Sequence, residues 1–142
     1  MDEKILVTGK TLRVTNLIDD GEQLVRKLEE KNFPISAAFL RYLDDEGLWR
    51  LVIVSPVVGQ EGPLNTYMQV NNAVDELGSS VQFGLSDISV MSPSWSQFRD
   101  LRRTLESAGL HRIAAAGQPR RLGGVNLPDF YVYRWNPDLT SS

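Results

Sequence analysis

The feature that most constrains the fold is a pair of apolar segments on either side of a short acidic turn. Ile35–Leu43 and Leu48–Ser55 are rich in aliphatic and aromatic residues, and Asp44-Asp45-Glu46-Gly47 separates them. Glycine readily adopts the left-handed conformation that closes a four-residue turn, so the pattern predicts a β-hairpin. After Arg50 the second segment is apolar on both faces, which is typical of a strand in the interior of a sheet. A chain with this hairpin folds around a sheet.

The segment before the hairpin predicts one helix. Apolar residues recur at helical spacing from Leu17 to Leu28, which indicates a helix over residues 17–31. Asp19 then lies in the first turn, where the helix dipole favours an acidic side chain. Residues 1–15 are interpreted as a short β-ribbon or a loose arm.

Two further helices are predicted after the hairpin. Gly62-Pro63 begins one of them and Gly78 ends it, because proline suits the first helical turn and glycine the C-terminal stop. The other runs from Ser92-Pro93 to Gly109. The predicted inward faces are Leu64, Tyr67, Met68, Asn71, Val74 and Leu77 on the first, and Trp95, Phe98, Leu101, Leu105 and Ala108 on the second.

Three more strands complete the predicted sheet, over Asp87–Met91, His111–Ala116 and Asn126–Trp135. The elements therefore follow the order α-β-β-α-β-α-β-β. This order predicts a single α+β domain over residues 1–142, with about three helices packed on a four- or five-stranded, mainly antiparallel sheet. Residues 136–142 are expected to form a flexible tail.

Composition places the chain among cytoplasmic globular proteins. It is 42% hydrophobic and 23% charged over 142 residues, which is ordinary for one such domain. The N-terminus carries two acidic residues where a signal peptide has basic ones. No stretch approaches the roughly 20 apolar residues that span a bilayer, so no contact with a membrane is expected.

The residue types present disfavour most catalytic chemistry. The chain has one histidine and no cysteine, which excludes disulfides and thiolate chemistry and disfavours zinc. Phosphate-binding and dinucleotide-binding glycine motifs are absent. Gly84-Leu85-Ser86-Asp87-Ile88 begins like a nucleophile elbow but lacks the second glycine. The sequence therefore predicts no catalytic residue, no cofactor and no metal site, and a function other than catalysis is favoured.

Two acidic clusters have alternative interpretations. Asp19-Asp20 with Glu22, or Asp44-Asp45-Glu46, could supply oxygen ligands to a hard cation such as Mg²⁺. The first cluster is also explained by a helix N-terminus and the second by a hairpin loop, and these structural interpretations are favoured.

Charge is distributed unevenly along the chain. Residues 1–97 carry 8 Lys and Arg against 14 Asp and Glu, whereas residues 98–142 carry 7 arginines against 4 acids. Two of the arginines lie in the stretch Gly117–Gly124, G-Q-P-R-R-L-G-G, which is predicted to be a mobile hairpin tip. The candidate residues for binding a partner or a phosphate are Arg99, Arg103, Arg112, Arg120, Arg121, Tyr131, Tyr133 and Arg134.

Three functions remain open at this point. The favoured one is a binding or accessory protein that acts through protein–protein contact with a partner or with a second copy in a homodimer. Apolar residues away from the predicted core stripes support it. Val57 and Val58 are predicted to lie in a loop, Val70 lies off the stripe of the second helix, and Leu122 and Val125 flank the basic pair. The alternative is nucleic-acid binding through the C-terminal arginines. The third is a metal-independent ribonuclease that uses His111 and Glu106.

Two stretches resemble small, uncharacterised bacterial proteins. L-W-R-L-V-I-V-S-P-V-V-G-Q-E-G-P (48–63) is similar to their hairpin strand and the start of their following helix, and Gly124–Arg134 is similar to their closing strand. The similarity extends over residues 17–135. It implies one compact bacterial α+β domain and carries over no activity, cofactor or functional residue.

Overall fold

The computed structural model describes residues 9–78, 81, 87–110, 121–127 and 129–136, with residues 9–16 and 121–127 described as backbone alone. These residues form three long helices and one five-stranded sheet. In chain order the elements are α1 (Gly9–Glu30), β1 (Ala37–Leu43), β2 (Leu48–Val54), α2 (Val57–Leu77), β3 (Ile88–Met91), α3 (Ser96–Ser107), β4 (Arg121–Leu127) and β5 (Phe130–Trp135). The predicted α+β class is confirmed, and so is the predicted order of elements as far as α3.

The sheet is mainly antiparallel and is covered by helices on both faces. Its strand order is β3-β2-β1-β5-β4, and only the β2–β3 pair is parallel. Alternate residues of the strands contribute to two separate cores: Leu40 and Ile53 pack with α1 and α2, whereas Phe39 and Val52 pack with α3. A sheet buried on both faces requires apolar residues at nearly every position of its inner strands, which explains the continuous apolar run in β2.

The predicted hairpin of β1 and β2 is confirmed. Leu43 pairs with Leu48 across the turn, and Gly47 adopts a positive φ of 65°. The amide nitrogens of Glu46 and Gly47 donate to the carbonyl oxygen of Leu43 at 3.1 and 2.7 Å. The acidic loop therefore has the turn geometry that its glycine predicts.

Helix α1 begins eight residues earlier than the sequence predicts. Residues 9–15 are helical, so the second half of the predicted β-ribbon is wrong, and residues 1–8 lie outside the described residues. Asp19 and Asp20 lie inside the helix rather than in its first turn, so the helix-dipole explanation of these acids is also wrong. Propensity differences of a few tenths of a kcal/mol per residue do not stop a helix that gains one hydrogen bond for each residue added.

The end of α1 is set by Asn32 rather than by the following proline. Asn32 has a positive φ of 63°. Its amide donates to the carbonyl oxygen of Glu29, and the amide of Phe33 donates to that of Leu28, both at 3.0 Å. This pair of bonds is a Schellman motif, and the buried side chains of Phe33 and Leu28 belong to the same core.

Helix α2 packs through only part of the face that its apolar residues predict. Tyr67, Val74 and Leu77 of that face lie partly buried against the core, as predicted. Gly62 has a non-helical conformation (φ 89°, ψ 158°), so the chain forms a short helical segment and then a longer one that begins at Pro63. Thr66, Val70 and Ala73, spaced four and three residues apart, are fully buried. These small side chains allow close packing against the core, and the larger Leu64 and Met68 are left exposed. Val57 and Val58, predicted to lie in a loop, are helical, and they belong to the core together with Val70, predicted to lie off the helix stripe.

The C-terminal strands are divided differently from the prediction. The predicted strand Asn126–Trp135 is interrupted by a turn at Asp129, which has a positive φ of 64°. Within the predicted hairpin tip, residues 121–124 belong to β4 at the edge of the sheet, and residues 117–120 lie outside the described residues. The predicted strand His111–Ala116 and the tail from residue 137 onward also lie outside them. Among the described helices, none is both long and apolar enough to cross a membrane.

Candidate functional site

A bulge in β5 brings Tyr133 and Arg134 to the same side of the sheet. Ala38 of β1 pairs with Arg134, and the next residue, Phe39, pairs with Val132. Tyr133 is therefore an extra residue in β5, as in a β-bulge. Tyr133 and Arg134 both reach α1, whereas strict alternation would place them on opposite faces of the sheet.

Two glutamates of α1 enclose the guanidinium group of Arg134. Its Nε and Nη2 donate to the carboxylate of Glu29 at 2.8 and 3.1 Å, and its Nη2 and Nη1 donate to that of Glu22 at 3.2 and 3.4 Å. Nη1 also donates to the carbonyl oxygen of Tyr133 at 2.9 Å. Burial lowers the pKa of Arg134, but the hydrogen bonds to Glu29 and Glu22 outweigh burial and raise it overall. Arg134 is thus a fixed, fully bonded cation between β5 and α1.

The hydroxyl of Tyr133 binds the same helix about one turn before Glu22. It donates to the carbonyl oxygens of Ile18 at 2.9 Å and Leu17 at 3.2 Å. Burial is the main cause that raises the pKa of Tyr133, and the nearby negative charges raise it further. Gly21 makes this approach feasible, because a Cβ atom at that position would overlap the Tyr133 hydroxyl.

The interpretation of Tyr133 and Arg134 as exposed binding residues is therefore corrected. Tyr133 is 1% exposed and Arg134 is 3% exposed. Tyr131 is half-buried, with its ring centroid 5.1 Å from that of Tyr133. Burial, followed by the charges of Glu22 and Asp19, raises the pKa of Tyr131. These side chains hold α1 on the sheet.

One sequence signal hints at this arrangement. Glu22 and Glu29 are seven residues apart, so they lie on the same side of α1, two turns from each other. Two acids at that spacing can both reach a cation that lies against this side of the helix. The sequence does not show which cation it is, because Arg134 is 105 residues from Glu29.

The basic candidates that the structure places on the surface are Arg99 and Arg103 of α3. Both are exposed and lie one turn apart. Arg99 donates to the carbonyl oxygen of Ser94 at 3.5 Å, and Arg103 lies 3.5 Å from the carboxylate of Asp100. Of the other candidates, Arg112 and Arg120 lie outside the described residues, and Arg121 is described only as the first backbone position of β4.

Two arginines that sequence reasoning missed lie on the same side of the molecule as α3. Arg41 and Arg50 are direct cross-strand partners in β1 and β2. Each lies two residues from a strand position that packs with α3: Arg41 follows Phe39, and Arg50 precedes Val52. Like charges directly opposite each other destabilise a sheet, so this pair is unusual. The four-residue hairpin loop predicts the register, and with it the pairing of these two arginines.

The opposite side of the molecule carries acids and exposed apolar residues. Helix α2 contains three acids and no lysine or arginine. Leu64 is 74% exposed and Met68 is 57% exposed. We call the outward residues of this helix the α2 surface: Glu61, Leu64, Asn65, Met68, Asn72 and Asp75.

Two lysines of the α1 segment form ion pairs with α2 at the edge of the contact between the helices. Nζ of Lys31 lies 2.6 Å from the carboxylate of Glu76, and Nζ of Lys27 lies 3.9 Å from it. The hydrogen bond from Lys31 lowers the pKa of Glu76, against the opposing effect of desolvation. This ion pair lies beside the α2 surface. The carboxylates of the α2 surface itself are those of Glu61 and Asp75.

The remaining acidic feature is an open groove at the end of the hairpin. It has a volume of about 380 Å³ and is lined by Arg41, the loop acids from Asp44 to Glu46, and Asp129. In the part of the chain that the structure describes, no three acidic or histidine side chains converge closely enough to hold a metal ion. The hard-cation alternative for the loop acids therefore gains no support from their arrangement.

The ribonuclease alternative rests on His111 and Glu106, and the structure describes only Glu106. His111 lies outside the described residues. The carboxylate of Glu106 accepts a hydrogen bond from Nε of Arg102 at 3.0 Å, one turn away on α3. Glu106 is therefore already paired within its own helix.

The comparisons with known proteins complete the description of the site. No family model matches the chain, and no curated protein or solved structure matches it either. The resemblance to small bacterial proteins accordingly stays a prediction, and the surfaces described above are the basis for a functional conclusion.

Proposed function

We propose that this chain is a non-enzymatic binding protein that acts in the cytoplasm through contact with another protein, and that the α2 surface makes the contact. The observation that carries the proposal is the exposure of Leu64 and Met68. They are the two most exposed large apolar side chains among the described residues, and only Leu48, at 38%, is exposed besides them.

The positions of Leu64 and Met68 relative to each other and to polar residues also support the proposal. Leu64 and Met68 are four residues apart, so their side chains lie next to each other on the helix. Glu61, Asn65 and Asn72 surround them. An apolar centre with a polar rim is typical of a protein-binding patch, and the unbranched methionine adapts to the shape of a partner.

Nucleic-acid binding is the second candidate, and the arginines on the side of α3 favour it. Arg99, Arg103, Arg41 and Arg50 could neutralise phosphates there. Burial of Tyr133 and Arg134 removes one of the two predicted stacking rings and one predicted phosphate contact from this candidate. The acidic loop and Asp100 also lie near these arginines in the fold. Protein–protein contact is therefore the better supported function.

Site-specific crosslinking tests the proposal. The chain contains no cysteine, so Asn72→Cys, next to Met68 on the exposed side of α2, can carry a photoactivated crosslinker. We expect labelled protein in an extract of the source cells to give one adduct of defined mass, and Leu64→Gln with Met68→Gln to abolish it.

Asp45→Cys provides the matched control, because Asp45 is also exposed but lies in the hairpin loop away from α2. It should give no such adduct. The proposal is wrong if Asn72→Cys gives no adduct, or if the adduct persists when Leu64 and Met68 are replaced by glutamine.

A further inference from the structure

The helices on the two faces of the sheet differ in charge. Helix α3 carries three arginines, Arg99, Arg102 and Arg103, against two acids, Asp100 and Glu106. On the other face of the sheet, α2 carries three acids and no basic residue. The uneven charge along the sequence thus becomes a difference between two helices that lie on opposite faces of the sheet.

This separation limits how one copy can meet another through the α2 surface. Two α2 surfaces placed together by a two-fold axis would bring Glu61 and Asp75 of both copies to the contact, and α2 itself has no lysine or arginine to pair with them. Lys31, beside the α2 surface, is already paired with Glu76. Like charges juxtaposed at an interface oppose association. Symmetric pairing of α2 with α2 is therefore disfavoured.

Helix α3 supplies the complementary surface. Arg99 and Arg103 lie one turn apart, which is the same spacing as Leu64 and Met68. The side chains of Arg103 and Asp100 are 76% and 73% exposed and approach to only 3.5 Å. An exposed pair at this distance holds the arginine weakly. Both arginines therefore retain N–H groups for carboxylates of another molecule, such as Glu61 and Asp75.

We infer that the partner of the α2 surface is the α3 surface of a second copy of this chain. This inference rests on the function proposed above. Leu64 and Met68 form the apolar centre of the contact, and Arg99 and Arg103 of the second copy meet the acidic rim. Because the two surfaces lie on opposite faces of one sheet, each copy keeps one of them available after pairing. Such a head-to-tail contact adds further copies instead of stopping at a dimer.

Sedimentation velocity of the purified full chain over a range of concentrations and salt tests the inference. We expect the weight-average mass to rise past that of a dimer at low salt and to fall as salt screens the charges. Arg99→Glu with Arg103→Glu should weaken association roughly a hundredfold, since it places like charges at the contact. Glu61→Lys with Asp75→Lys should do the same.

Charge exchange provides the matched control. An equimolar mixture of the two charge-reversed variants should associate again, and so should a single chain that carries all four substitutions. All four positions are on the surface, and circular dichroism checks that each variant is folded. A wild-type chain that stays monomeric at low salt overturns the inference, and so does a charge-reversed variant that associates as well as wild type.

The crosslinking experiment separates this inference from the proposed function. An adduct with a different protein, together with a monomeric wild-type chain, overturns self-association and supports protein binding. Absence of any adduct overturns both. If wild type is monomeric but retains labelled single-stranded RNA at low salt, and the Arg99→Glu/Arg103→Glu variant does not, nucleic-acid binding replaces self-association as the role of this face.

Discussion

A few side chains fix the position of the first helix on the sheet. Tyr133 bonds to two backbone carbonyls of α1, and Arg134 bonds to two of its carboxylates. The contact of Tyr133 depends on the close approach of the helix at Gly21. A buried arginine with every partner in place adds little net stability, but it becomes costly once a partner is removed. These residues therefore specify where α1 lies more than they drive folding.

Gly21→Ala tests this account of the contact. Alanine favours a helix over glycine by about 1 kcal/mol, yet here its methyl group would displace the Tyr133 ring. Overpacking costs about 1–3 kcal/mol, and about 1 kcal/mol is added for each hydrogen bond lost. We expect a net loss of about 2 kcal/mol in the free energy of unfolding, measured by urea denaturation.

Gly59→Ala is the matched control for this substitution. Gly59 is also helical, and the nearest atom to an added Cβ is Oγ of Ser92 at 3.6 Å, which is an ordinary contact. This variant should be as stable as wild type or slightly more stable. Equal effects of the two substitutions would contradict the close approach of Tyr133 to α1.

At the scale of elements, α2 shows most clearly how packing overrides an apolar pattern. The helix buries Val70 completely and exposes Leu64, although leucine is the larger hydrophobic residue. The break at Gly62 sets the rotation of the longer segment, and Thr66 closes the break by donating its hydroxyl to the carbonyl oxygen of Gly62 at 2.8 Å. The apolar residues left outside are the ones assigned here to binding.

Alanine substitutions on the buried and exposed sides of α2 compare how much Val70 and Leu64 contribute to stability. Val70→Ala removes two buried methyl-sized groups, so we expect it to cost about 2 kcal/mol of unfolding free energy. Leu64→Ala truncates a larger side chain but should change stability by no more than about 0.5 kcal/mol. A loss at Leu64 as large as the loss at Val70 would show that Leu64 is packed, and the binding surface would have to be reassigned.

The sequence predicts the elements better than it predicts their faces and partners. Alternating and continuous apolar runs locate the hairpin and the order of elements as far as α3, because both are local properties of the chain. The start of α1 is missed because Val14 and the threonines at 11 and 15 favour strands. The face of α2 depends on one glycine conformation, and the role of Arg134 depends on a bulge in β5. Neither feature has a local sequence pattern.

At the scale of the whole molecule, the burial of Tyr133 between the sheet and α1 affects the pH range in which the fold is stable. Tyr133 keeps its proton in the folded protein because burial raises its pKa. In the unfolded chain a tyrosine loses its proton near pH 10. Above that pH the unfolded state binds fewer protons than the folded state, so the stability that Tyr133 contributes decreases as pH rises.

We therefore expect an alkaline decrease in stability that depends on Tyr133. Above about pH 10 the contribution of this residue should decline by about 1.4 kcal/mol per pH unit. Urea denaturation between pH 9 and about pH 11 measures the slope. Tyr133→Phe lowers stability at every pH because its hydrogen bonds are lost, but its alkaline slope should be shallower. The same slope in both proteins would show that another group causes the decrease.

The position of β5 has a consequence for synthesis of the protein. Strands β1 and β2 leave the ribosome early, but β1 acquires its second neighbour only when residues 130–135 have been translated. Until then the nascent chain exposes the backbone edge of an apolar strand, and Glu22 and Glu29 cannot form their ion pairs with Arg134. An uncovered edge of this kind is prone to pair with other chains. We therefore expect ribosome-bound intermediates to rely on a chaperone more than the released protein does.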